Sequence, residues 1–206
     1  KAECATKFNE TVDVACRLGI DPKHSDQMVR GTVALPAGTG KDITVAVFTS
    51  ADNMESVKKS SEADIIGSDE LIEKIQKGEA LNFDKCVATA DFMPTLAKIG
   101  KILGPRGLMP NPKLGTVAKS VEEAAKVVAE LKAGKVEFKT DKTGIVHAGI
   151  GNISFDTKSL RSNIEAFIKG LQDAKPSATK GEFFRSVFIS TTMGPAIELD
   201  IGQIIA

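Results

Sequence analysis

The chain has 206 residues, of which 42% are hydrophobic, and its 27 basic and 27 acidic side chains cancel to a formal charge of zero. This balance excludes a strongly basic protein that would bind nucleic acid by charge alone, so any RNA contact has to depend on local charge and shape. No apolar run approaches the roughly 20 residues that span a bilayer, and we expect no membrane partner.

The first predicted element is a half-buried strand over Thr11–Leu18. Apolar and polar residues alternate there, which is typical of a strand with one face on a core. The apolar face carries Val12, Val14, Cys16 and Leu18.

The middle of the chain, from Asp42 to about Lys132, alternates short apolar runs with helical stripes. The predicted strands are Ile43–Phe48, Ala63–Ile66 and Cys86–Ala90. One helix follows Ser68 and another begins at the capping-box sequence Ser120–Glu123. This alternation predicts a mainly parallel sheet covered by helices.

The last third of the chain is more antiparallel in pattern. Lys135–Lys139 and Ile145–His147 flank the turn sequence Asp141–Gly144 and predict a hairpin. A helix follows, with apolar residues at helical spacing, and a strand pair, Phe183–Ser190 with Ile197–Ile201, ends the chain.

Two glycine-bearing stretches separate these regions, Pro36–Gly40 and Lys132–Gly134. We therefore predict an α/β protein of two domains. Residues 1–38 and 133–206 form an outer α+β domain built from both termini, and residues 39–132 form an inserted, Rossmann-like α/β domain.

The segment Gly104–Val117 has three Pro and three Gly in fourteen residues, a density that excludes a helix or a central strand. From Phe92 to Lys119 there are five basic residues and no acidic one. A structured basic loop favours an anionic partner, and nucleic acid is the leading candidate. Its apolar residues are expected to hold it to its own sheet.

Catalytic and metal sites find little support in the sequence. His24 and His147 are far apart, and the three cysteines, Cys4, Cys16 and Cys86, favour reduced thiols in a cytosolic protein. The run Gly38–Lys41 resembles a phosphate loop, which leaves a small nucleotide-binding enzyme as the alternative. It lacks the full motif and precedes a strand, so we interpret it as a hinge.

Two segments of the outer domain are candidates for RNA contact. Phe8, at the start of a strand, could belong to the core, or it could stack on a base or ribose while Lys7 meets a phosphate. In Thr191–Pro195, two hydroxyls, a thioether and a glycine would let a ligand approach the backbone closely.

Several motifs resemble one known family. The run GPRGLMPNPKLGTV at Gly104–Val117 is similar to the signature of the ribosomal protein L-one family, the stalk protein of the large ribosomal subunit, in its bacterial form. The other matching segments, in the same order, are Lys7–Thr11, Leu18–Pro22, Arg30–Val33 and Thr191–Pro195.

The resemblance implies a cytoplasmic ribosomal protein without cofactor or catalysis, monomeric when free. Its partners would be large-subunit rRNA, the exit-site tRNA whose movement and release it assists, and the leader of its own mRNA, which it would repress. We also expect that part of the family's N-terminal segment is missing before Lys1.

By resemblance, residues of both termini form the rRNA site. The N-terminal motif supplies Lys7, Phe8 and Thr11, and the C-terminal motif supplies Ser186, Thr192, Met193 and Gly194. Arg106 and Lys113 in the loop are candidates for a secondary RNA contact or an interdomain contact.

Overall fold

The computed structural model describes residues 7–22, 24, 27–50, 53–76, 83–176, 179, 181–200 and 202. Contacts within the chain divide it into a first unit, Lys1–Gly40 with Ala133–Ala206, and a second unit, Lys41–Lys132. The predicted domain boundaries were after residues 38 and 132. That each unit folds as a domain of its own stays a prediction.

The described strands and helices follow one another along the chain as mixed α/β structure. The strands are β1 (Thr11–Leu18), β2 (Arg30–Ala34), β3 (Val45–Phe48), β4 (Ile65–Gly67), β5 (Lys85–Thr89), β6 (Val117–Ala118), β7 (Lys135–Lys139), β8 (Ile145–Asn152), β9 (Phe184–Thr191) and β10 (Ile197–Leu199). The helices are α1 (Met54–Ser60), α2 (Asp69–Gln76), α3 (Met93–Ala97), α4 (Gly100–Leu103), α5 (Val121–Lys132) and α6 (Thr157–Asp173). Within the described residues, no helix is both long and apolar enough to cross a membrane.

The first unit is built on an antiparallel sheet in the order β10-β9-β1-β8. The alternation predicted for β1 is confirmed, because Val12, Val14, Cys16 and Leu18 are all buried and the residues between them are not. Helix α6 covers the core face through Phe167, Ile168 and Leu171, so its predicted apolar stripe is confirmed as well.

The hairpin predicted for β7 and β8 is wrong. The turn exists, since the Asp141 N–H donates to the Ile145 carbonyl over 2.9 Å, but the strands share only an isolated bridge between Thr140 and Val146. Beyond it they separate. Strand β7 pairs with β2 in a second, two-stranded sheet, whereas β8 pairs with β1. Across the β2–β7 pair, the ring of Phe138 lies over Gly31, where no side chain intervenes.

The second unit holds a parallel sheet, as predicted, and its strands lie in the order β4-β3-β5-β6. Its central strand β3 is buried throughout, which requires helices on both faces. One face packs against α2, α3 and α4 through a cluster that includes Phe48, Ile72 and Leu96. The other packs against α1 and α5, with Val57 and Val128 in contact with the sheet.

The basic loop Gly104–Val117 packs against the rest of the second unit, to which it belongs. Leu108 and Met109 pack on the cluster that includes Leu96, and the Cys86 thiol donates to the Leu108 carbonyl over 2.6 Å. Further along, the Thr116 hydroxyl accepts the Asn111 N–H over 2.8 Å. The loop is therefore ordered by its own packing, and Arg106 at its tip is exposed.

Candidate RNA interface

The segment before β1 is tied to the turn that follows β8. The Asn9 amide donates to the Ser154 hydroxyl over 3.4 Å, and the Ile153 N–H donates to the Glu10 carbonyl over 3.0 Å. Glu10 itself is fully buried, which is rare for a carboxylate without compensating hydrogen bonds. The residues that directly follow Lys7 and Phe8 are thus held in place by hydrogen bonds.

The buried carboxylate of Glu10 holds the turn between β9 and β10. Its Oε2 accepts the Met193 N–H over 3.2 Å, and the Gly194 N–H donates to the Thr191 carbonyl over 3.1 Å. A Cβ on residue 194 would collide with the Thr191 hydroxyl, so a side chain there would force that hydroxyl to move. The N–H groups of Met193 and Gly194 therefore both donate within the protein, and the backbone of the turn is held in place.

The Thr192 hydroxyl joins this turn to β1. It accepts the Thr11 N–H over 3.3 Å and makes a longer contact of 3.5 Å to the Thr11 carbonyl. A hydroxyl has one donor and two acceptor lone pairs, so one acceptor position is left over. A ribose 2′-hydroxyl is a suitable donor to that position.

Two large apolar side chains project from this cluster. Phe8 is 55% exposed and Met193 is 65% exposed. Phe8 does not take the core position that its place at a strand start would favour. It lies three residues before Thr11, within about 11 Å of it even if the chain is fully extended. Lys7 beside it is exposed.

The predicted site residues do not form one cluster. Thr11, Thr192, Met193 and Gly194 lie together, and Lys7 and Phe8 lie near them in the chain. Ser186, half-buried, stands opposite Arg17, at the other end of β1. Arg106 belongs to the second unit, and the Lys113 side chain lies outside the described part of the chain.

Glu10 is the residue that sequence reasoning missed. It lies inside the motif Lys7–Thr11, but a charged residue before a strand is ordinarily exposed, and nothing in the alternation of β1 indicates its burial. The only sequence signal was its place between two candidate contact residues.

The segment Gly38–Lys41 does not have the form of a phosphate loop. Asn163 and Asn152 donate to the carbonyls of Gly38 and Gly40, each over 2.9 Å. The Gly38 N–H donates to the Leu35 carbonyl over 3.0 Å. A phosphate cradle needs converging N–H groups, whereas the amides here hold carbonyls. Among the described residues, no group of three or more His, Cys, Asp or Glu side chains could hold a metal ion.

Cys16, Asp141 and Asp64 have displaced pKa values. Burial raises the pKa of the Cys16 thiol to about 12, which marks an inert core cysteine. Hydrogen bonds from the Ile145 N–H and then the Thr143 hydroxyl lower the pKa of Asp141. The Val45 N–H and then the Lys132 ammonium lower that of Asp64 in the second unit. Cys4 lies outside the described residues.

A comparison with protein families identifies the family of this chain. Residues 1–195 match the model of the ribosomal protein L1p/L10e family, which covers nearly the whole chain. Its members are structural, RNA-binding proteins of the large ribosomal subunit in the cytoplasm, and it is not a family of enzymes. The chain therefore belongs to the ribosomal protein L1p/L10e family.

Proposed function

We propose that this protein binds a folded region of large-subunit rRNA at the mobile stalk through the turn Thr192–Gly194 and the segment Lys7–Thr11. The observation that carries the proposal is the exposed Met193 on a turn whose backbone is fixed by the buried Glu10. A rigid turn with an apolar tip and a hydroxyl acceptor suits RNA that is read by shape and 2′-hydroxyls. Ser186 supplies a second contact on the same sheet.

The proposal includes two finer roles. On the ribosome the protein assists the movement and release of exit-site tRNA, and Arg106 and Lys113 give a secondary RNA contact. Off the ribosome the monomer binds the leader of its own mRNA and represses translation. If one surface serves both RNAs, the mRNA leader displaces rRNA competitively. A ternary complex with both RNAs would contradict a shared surface.

The substitution Met193→Asp tests the site. It places a carboxylate against phosphates and removes apolar contact, so we expect the Kd for a stalk rRNA fragment to rise at least about tenfold, or about 1.4 kcal/mol. The matched control is Met28→Asp, because Met28 is also an exposed methionine of the first unit, at 38%, and precedes β2. Circular dichroism verifies that both variants fold.

Two outcomes would contradict the proposal. One is an unchanged Kd for Met193→Asp, and the other is an equal loss in both variants. The salt dependence of the wild-type Kd gives a second measure. Few cationic side chains surround the turn, so log K should fall gently with log salt. A slope as steep as about −8 to −10 would require many phosphate contacts and would refute this interface.

A further inference from the structure

The four-stranded sheet of the first unit has a face that points away from the core. Alternate residues of β1 fill the core, so Thr11, Asp13, Ala15 and Arg17 lie on the opposite side. In an antiparallel sheet, residues directly opposite each other share a face. The register of β8, β9 and β10 therefore identifies the other residues of this open face.

Phe188 lies at the centre of the open face. It stands opposite Ala15 on one side and Glu198 on the other. The preceding residue, Val187, is fully buried in the core, whereas Phe188 is 36% exposed and is not part of the core cluster. Phe188 therefore presents an aromatic side chain on the face of the sheet that lies opposite the core.

Most of the neighbours of Phe188 on this face are small, and Glu198 on the edge strand β10 is the exception. Ser186 and Ser190 precede and follow it on the same face of β9, Ala15 is beside it, and Gly149 on β8 stands opposite Asp13. Phe188 is partly exposed beside these small side chains. Nucleic-acid bases stack on flat aromatic rings, and small neighbouring side chains leave room for a base.

The charges of the open face are mixed and do not favour binding by phosphate attraction. Asp13 and Glu198 are acidic, Arg17 is basic, and His147 stands opposite Ala15 on β8. A ligand of this face would be held by stacking and by hydroxyl groups. That requirement fits an unpaired RNA base better than a duplex backbone.

We propose that Phe188 is a stacking platform for one unpaired base of the bound RNA. The inference rests on the proposed function, because Thr11 and Ser186, two of the proposed contacts, lie on this face at its two ends. Thr11 and Arg17, the partner of Ser186, are six positions apart along β1, which is about 20 Å of strand. An RNA that reaches both ends passes over Phe188, so the platform is continuous with the proposed interface.

The variants Phe188→Leu and Phe188→Tyr test the platform in the whole chain. Leucine keeps an apolar side chain but loses the ring, and we expect the Kd for the stalk rRNA fragment to rise about 5- to 100-fold. Tyrosine keeps the ring and should bind within about threefold of the wild type. A fragment carrying 2-aminopurine at its unpaired adenines should be quenched by the wild type and by the tyrosine variant, and less by the leucine variant.

The outcomes separate this inference from the function on which it rests. If Met193→Asp weakens binding and Phe188→Leu does not, the platform is refuted and the proposed interface stands. Failure of the folded wild type to bind the fragment overturns both. If leucine and tyrosine weaken binding equally, with quenching unchanged, Phe188 acts through packing and the platform is refuted. Thermal unfolding of each variant shows that the first unit is intact.

Discussion

At the scale of single residues, Glu10 is the buried carboxyl group on which the proposed RNA turn depends. We expect Glu10→Ala to lower the free energy of unfolding by about 1–3 kcal/mol, because the partly buried Met193 N–H loses its carboxyl acceptor. Glu10→Gln keeps an acceptor oxygen of similar reach and should lose less. Denaturant titration of both variants measures the difference, and an alanine variant as stable as the wild type would show that this hydrogen bond is dispensable.

The same residues show why sequence reasoning stopped short of the site's geometry. The resemblance brought Thr11 and Thr192 into one site, and the hydrogen bond between them is a contact across 181 residues of sequence. The burial of Glu10 could not be predicted, because it depends on where the β9–β10 turn arrives. The orientation of Phe188 was equally hidden, since Val187, Phe188 and Ile189 are all apolar and leave the two faces of β9 indistinguishable by pattern.

At the scale of elements, a strong apolar periodicity predicted a strand or helix correctly where that element packs one face against a single core. Strand β1 and helix α6 each have one clean apolar face, and both were predicted correctly. The failed β7–β8 hairpin had an equally clear local signal. Its strands belong to different sheets, and the pairing of β7 with β2, in which Phe138 lies over Gly31, is a long-range contact that no local turn sequence encodes.

The start of α5 is an element whose capping can be tested. The Ser120 hydroxyl accepts the Glu123 N–H over 3.2 Å, as the capping-box sequence predicts. The Glu123 carboxylate, however, accepts the N–H of Lys119 over 2.7 Å, one residue earlier than in the standard box. The cap at Ser120 should therefore contribute to the stability of the second unit.

We expect Ser120→Ala to destabilise the second unit by about 1 kcal/mol through the loss of this cap. The matched control is Ser162→Ala, an exposed serine inside α6, where alanine is the better helix former and the change should be neutral or slightly stabilising. Urea unfolding followed by circular dichroism measures both. Equal effects of the two substitutions would mean that the Ser120 hydroxyl does not act as a cap.

At the scale of the whole molecule, the two places where the chain leaves and re-enters the first unit lie side by side. A Cβ on Gly134, whose φ is +103°, would lie 2.5 Å from the Gly38 Cα, and the Leu35 N–H donates to the Gly134 carbonyl over 3.2 Å. Gly40 and Ala133 are consequently no more than about 16 Å apart, a distance that about four Gly or Ser residues can span. Replacing residues 41–132 by such a linker should leave the core and proposed RNA residues of the first unit in place.

We predict that this shortened chain folds and binds the stalk rRNA fragment within about threefold of the full chain, a difference below about 0.7 kcal/mol. The physical reason is that the first unit has its own hydrophobic core and contains the turn at Met193 and the segment at Phe8. Met193→Asp in the shortened chain is the control, and it should weaken binding as much as it does in the full chain. A folded shortened chain that binds more than tenfold weaker would assign part of the affinity to the second unit, where Arg106 is exposed on the basic loop. A shortened chain that does not fold would refute the prediction that the first unit is a domain in its own right.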